Sequence, residues 1–104
     1  ADELVHSVYM AYPDILVNSV DADPRGYDIV LNTTSLGLKR EDPLPINPGT
    51  LERHQLVAEI IMNPEDTPIL LAAKSRGCKV HYGRPMFDHQ VAIIASLFGY
   101  DFNI

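Results

Sequence analysis

The sequence predicts an α/β fold: a parallel sheet of about four strands with flanking helices. Three observations lead there. Short apolar runs alternate with longer amphipathic stretches along the chain. The run Ile29-Val30-Leu31 is apolar on both faces, as a buried parallel strand requires. Helix punctuation is readable where the periodicity changes, with Thr67-Pro68 at one start and Gly77 past the same helix's end.

Residues 2–11 read as a helix. Leu4, Val5 and Val8 fall at helical spacing, Asp2 and Glu3 suit the positive end of the helix dipole, and Pro13 stops the run. Ile15-Leu16-Val17 reads as a short first strand, followed by a turn from Asp21 to Gly26. Tyr27 to Asn32 is a second, stronger strand. Residues 35–50, rich in Pro, Gly and Asn, form a loop with Lys39 to Asp42 at its tip, and Leu51 to Arg53 suits one helical turn. Gln55 to Met62 is the third strand. Thr67 is placed to cap the next helix. Pro68 suits its first turn, where the missing N–H costs nothing, and Lys74 and Arg76 complement its negative end. Lys79-Val80-His81 is a last short strand. A final helix runs from about Pro85 to Phe98, and Gly99 ends it.

The chain has 104 residues, which suits one domain (1–104) and is too short for a complete two-domain oxidoreductase. It does not start with Met, so a preceding segment is expected. Eight basic residues against fourteen acidic give a net charge of −6, and no basic run is available for phosphate contacts; no nucleic-acid partner is expected. No stretch reaches the ~18 apolar residues of a membrane span, so no membrane partner is expected either. Cys78 is the single cysteine, so no internal disulfide is possible. It reads as a half-buried structural thiol, and the expected compartment is the cytoplasm.

In a parallel sheet, ligands bind over the carboxyl ends of the strands. The loops that reach that edge are 32–37, 63–66 and 82–85. Asn32-Thr33-Thr34-Ser35 puts polar side chains directly after a buried strand. They could bond a ribose, an amide or a phosphate, or satisfy their own turn. Asn63 to Pro68 is explained mostly by a helix cap. Glu59 is odder, because an acid in an apolar run must find a partner or solvent. Gln90, near the start of the last helix, could reach a ligand over the sheet edge or sit at the core rim. The four histidines have no partners at metal-ligand spacing, and no metal site is expected. Ser35, Asp88 and His89 lack the Gly-x-Ser-x-Gly turn of a hydrolase nucleophile. There is no Gly-x-Gly-x-x-Gly and no Walker lysine loop, so a pyrophosphate cradle is missing from this chain.

Four segments, in order, resemble the carboxyl-terminal part of shikimate dehydrogenases. Asp28-Ile-Val-Leu-Asn-Thr-Thr-Ser-Leu-Gly-Leu38 is similar to the family's D-hydrophobic-N-A-T-x-x-G-M strand and loop. Asp42-Pro-Leu-Pro45 is similar to the loop that follows. Val57-Ala-Glu-Ile-Ile-Met-Asn-Pro-Glu-Asp-Thr-Pro-Ile69 is similar to V-x-D-x-x-Y-x-P-x-x-T-P-L. Arg76-Gly-Cys78 and Gly83-Arg-Pro-Met-Phe-Asp-His-Gln90 are similar to R-G-x and G-x-x-M-L-x-x-Q.

The resemblance implies a partial Rossmann fold, the second half of a dinucleotide-binding domain. The implied reaction is hydride transfer between NADP (NAD being possible) and a small-molecule cyclic hydroxy acid. Asn32, Thr33 and Thr34 would lie along the ribose and nicotinamide side of the cofactor. Ile60 and Met62 would end beside the nicotinamide, Gly83 and Met86 would help wall its pocket, and Gln90 would reach the substrate. No catalytic residue is assigned, because the family's catalytic Lys and Asp lie upstream. Met62 stands in place of a substrate-contacting Tyr, Pro85 in place of a second Gly, and Glu59 in place of an Asp. These departures resemble the paralogue branch, so quinate or a related hydroxy acid competes with shikimate as substrate.

The same resemblance leaves a gap between strand 15–18 and strand 28–33. Either the two pair directly, or two chains exchange elements in a homodimer. The contrasting expectation is a free-standing α/β binding or interaction module without redox activity.

Overall fold

A computed structural model describes residues 2–99. The element order is α1 (Asp2–Ala11), β1 (Ile29–Asn32), a 3₁₀ turn (Pro48–Thr50), β2 (Leu56–Glu59), α2 (Pro68–Ser75), β3 (Lys79–His81) and α3 (Gly83–Leu97). The strands form one parallel sheet in the order β1-β2-β3. The α/β class and parallel sheet are as expected; the strand count is three among the described residues.

Register explains the core. Val30 pairs with Val57 and Val57 with Val80, so three valines share one face of the sheet. Against that face pack Ile69, Leu70 and Ala73 of α2, with Leu51 and Cys78 beside them. Burying each such aliphatic side chain contributes roughly 1.5–3 kcal/mol. The end of α2 is as the sequence reads: Gly77 has φ +83°, and the amides of Gly77 and Cys78 donate to the carbonyls of Lys74 and Ala73.

Several expectations are corrected. Residues 15–18 form no strand and do not pair beside residues 28–33. Three apolar residues cannot hold a strand without a neighbouring edge, and Leu16 stays 89% exposed. Strand β1 is covered on one face only: Ile29 and Leu31 remain 64% and 47% exposed, because neither α1 nor α3 packs over them. The helical turn falls at Pro48–Thr50 rather than 51–53, because Asn47 Oδ1 accepts from the Gly49 amide at 2.9 Å and starts it. Strand β2 ends at Glu59, three residues early, because the Glu59 carboxylate takes the Ile60 and Ile61 amides out of the ladder. Thr67 does not cap α2 with its side chain, for its hydroxyl donates to Glu59 Oε2 at 2.9 Å instead. The last helix starts at Gly83, with Pro85 still in its first turn, where a missing N–H is harmless.

Gln55, expected as the first residue of the third strand, instead lies just before β2 and is fully buried. Its amide donates to the carbonyls of Pro24 and Tyr27 and its Oε1 accepts from the Glu52 amide, which ties the 24–27 turn to the start of β2.

Candidate functional site

The carboxyl ends of β2 and β3 define a cleft of about 260 Å³ lined by Ile60, Met62, Gly83, Met86, Phe87 and Gln90. Two segments build it. The stretch after β2 supplies Ile60 and Met62, 42% and 41% exposed. Helix α3 supplies the rest: Gly83, Met86, Phe87 and Gln90 stand at i, i+3, i+4 and i+7, one face over two turns. Five of the eight residues singled out in the sequence therefore meet at one place. Phe87 was not singled out, although its spacing from Gly83 puts it on the same helix face.

Gly83 lets the two walls meet. A Cβ built there would lie 2.5 Å from the Ile61 carbonyl oxygen and 2.7 Å from the Ile60 carbonyl, so only glycine lets α3 rest on that backbone.

Asn32, Thr33 and Thr34 do not line the cleft; Asn32 ends β1 opposite Glu59 of β2, and Thr33 and Thr34 follow it. Asn32 is buried and its side chain is fully engaged. Its Oδ1 accepts from the Thr34 amide at 3.0 Å and the Thr34 hydroxyl at 2.6 Å. Its Nδ2 donates to the Leu36 carbonyl at 3.0 Å and to both Glu59 oxygens. The Thr34 hydroxyl in turn accepts from the Leu36 amide. Thr33 and Thr34 are exposed at the rim.

Glu59 is 0% exposed and is the centre of this edge. Its carboxylate accepts from Asn32, from the Ile60 amide at 2.9 Å, the Ile61 amide at 3.1 Å and the Thr67 hydroxyl at 2.9 Å. The partner the sequence required of it is thus a ring of uncharged donors.

The charged groups near this edge are partly exposed. Asp66 accepts from Lys74 at 2.7 Å, which holds the Asp66 carboxyl below the usual carboxylate range and the Lys74 ammonium above its own. Lys74 also lies 4.9 Å over the Tyr82 ring. Asp42 is lowered by accepting the Lys39 and Gly37 amides, which folds the 37–42 loop onto itself. Asp88 bonds Arg84 one turn back on α3 at 2.8 Å. Cys78 is buried, with Sγ 3.2 Å from the Glu52 carbonyl oxygen. Among the described residues no group of three or more His, Cys, Asp or Glu side chains could hold a metal ion, and no helix is long and apolar enough to cross a membrane. A second cleft, of about 250 Å³, lies by Pro24, Tyr27 and Ile29 at the opposite end of β1 and takes in none of the residues singled out.

Fold and site together define a class: parallel α/β proteins that take ligands over the carboxyl edge of the sheet. The comparisons narrow it. The chain is 42% identical over 66 residues to the shikimate dehydrogenase (NADP+) of Archaeoglobus fulgidus, covering 62% of this chain and 24% of that protein. The shikimate dehydrogenase structure from Aquifex aeolicus matches 84% of this chain and 32% of its own, at 32% identity and a TM-score of 0.69. Quinate dehydrogenase from Corynebacterium glutamicum, solved with NAD, matches 97% of this chain and 38% of its own, at 28% identity and a TM-score of 0.81. No family model matches. The chain is a homologue of the shikimate dehydrogenases, and it spans about a quarter of the curated relatives' length.

Proposed function

We propose that this chain works as part of an NADP-dependent dehydrogenase of a cyclic hydroxy acid of the shikimate or quinate type, and that it supplies the wall against which the nicotinamide rests. The reading is carried by the cleft of Ile60, Met62, Gly83, Met86, Phe87 and Gln90 at the sheet's carboxyl edge. Its chemistry suits the group. Isoleucine, two thioethers and a phenyl ring offer a flat, uncharged surface to an uncharged ring face, and a single amide offers one polar anchor. Nothing in it suits a pyrophosphate.

The cofactor, when bound, would carry the hydride, NADP+ taking it from the hydroxy acid and NADPH giving it to the corresponding ketone. This chain's residues hold and orient. Ile60, Met62 and Met86 exclude water from the ring face, and Gly83 keeps the two walls in contact. The Asn32–Thr34 turn borders the ribose side, with Thr33 and Thr34 as its exposed hydroxyls. Gln90 reaches the hydroxy acid. The proton-transferring groups come from outside this segment, so the chain alone is inactive. The homologues' NADP and NAD support the cofactor class, with NADP preferred.

The test is calorimetric titration of the complete dehydrogenase that carries this segment with NADPH. Saturable heat is expected, weakened by Met86→Lys, which puts a charge into the apolar wall. No heat at millimolar cofactor overturns the reading. In the complete dehydrogenase, Gln90→Ala should raise KM for the hydroxy acid at a cost of about 1–3 kcal/mol. Steady-state kinetics checks it, and an unchanged KM removes Gln90 from the substrate site.

A further inference from the structure

Glu59 is a buried acid that the proposed function does not use. Every partner of its carboxylate brings a hydrogen: the Asn32 amide, two backbone N–H groups and the Thr67 hydroxyl. Among the described residues no basic side chain pairs with it. The Asn32 amide cannot turn its oxygen toward Glu59, because that oxygen is held by the amide and hydroxyl of Thr34. The shell thus surrounds the two carboxyl oxygens with hydrogen-bond donors, which is how a buried polar group is satisfied without a cation.

We propose that Glu59 is a positioning residue of the cleft: its carboxyl group sets both walls through the backbone of Ile60 and Ile61. The route is short. The carboxylate fixes the Ile60 and Ile61 amides, and the carbonyls of those same residues are the surface on which Gly83 rests. Ile60 and Met62 thereby take their place on one side, and α3 presents Met86 and Gln90 on the other. The same carboxylate holds the 32–36 turn through Asn32 and the start of α2 through Thr67. One side chain thus registers three segments of the carboxyl edge.

The chain's three methionines make the test direct: Met62 and Met86 line the cleft, and Met10 lies on α1 as a reference. Glu59→Gln puts an NH₂ against Asn32 Nδ2, a donor facing a donor. Methyl-labelled Met spectra should then show the Met62 and Met86 signals displaced, with Met10 in place. Glu59→Asp, which keeps the carboxyl group, should return them toward their original positions. Ile69→Val, a core change of the same domain, should move neither. Should Glu59→Gln fail to fold, Thr67→Val removes one donor at nearly constant shape and should displace the Met62 signal by less. Unmoved cleft methyls in the folded variants, or equal displacement by Ile69→Val, overturn the proposal. A second arm rests on the cofactor reading: in the complete dehydrogenase, Glu59→Gln should weaken NADPH binding at least about tenfold, with Glu59→Asp within about threefold of the unaltered enzyme. Unchanged affinity in Glu59→Gln overturns the positioning role. An unaltered enzyme that binds no NADPH sinks the cofactor reading alone, and the methyl spectra still decide the role of Glu59.

Discussion

Asn32 shows how one side chain turns a polar run into a structural knot. The sequence offers four polar residues after an apolar strand, which suits either ligand binding or a self-satisfied turn. The structure spends the whole Asn32 amide internally, on Thr34, Leu36 and Glu59. Asn32→Ala leaves the buried Glu59 carboxylate short of a donor and should cost about 2–3 kcal/mol, read as a lower urea midpoint at unchanged m-value. Rim carboxylates give a separate prediction. Asp66 and Asp42 have folded pKa values below the ordinary 3.8. Their stabilising effect is complete above that value and is lost as pH falls through the lowered folded values. The thermal midpoint should therefore drop below about pH 4, and Asp66→Asn should flatten part of the drop. Both groups are exposed, so the change is small.

At the scale of elements, the contact of α3 with the end of β2 is the joint that makes the cleft. Gly83→Ala sets a methyl carbon 2.5 Å from the Ile61 carbonyl oxygen, and backbone cannot yield as a side-chain tip can. It should destabilise the chain by about 1–3 kcal/mol and weaken NADPH binding by more than the loss of stability explains, measured by denaturation and titration on the same variant. Elements were legible in proportion to their punctuation. Helix α2 follows its Pro68 and Gly77 markers, and α1 follows its Asp2, Glu3 and Pro13 markers. Residues 15–18 were misread because an apolar triplet says nothing about whether an edge waits for it. Thr67 was misread because cap chemistry in the sequence cannot show that a buried acid eight residues earlier takes the same hydroxyl.

Seen whole, the molecule leaves much apolar surface in water. Its radius of gyration is 16.0 Å, against about 13 Å for a compact chain of this length. Its accessible surface is 7895 Å², against about 5,800 Å² for a folded monomer of this mass. The difference, roughly 2,000 Å², is on the scale of an obligate interface. Part of the exposed apolar surface lies on β1, at Ile29 and Leu31, and at the outer end of α3, at Leu97 and Phe98; more of it lies along residues 4–20, where Leu16 is 89% exposed. The isolated chain should associate as its concentration rises, and sedimentation velocity should show Leu31→Lys returning it toward the monomer. A concentration-independent monomer would remove the edge of β1 as the cause.

The sequence by itself determined the class of fold and most element positions, because periodicity and punctuation are local properties; five of the six residues that line the cleft were pointed to by the resemblance to shikimate dehydrogenases. Only the tertiary structure decided what the polar residues there do. Asn32 lies 27 residues before Glu59 and Thr67 eight residues after it. Whether each faces a ligand or another protein group depends on which hydrogen-bond partners folding brings within 3 Å.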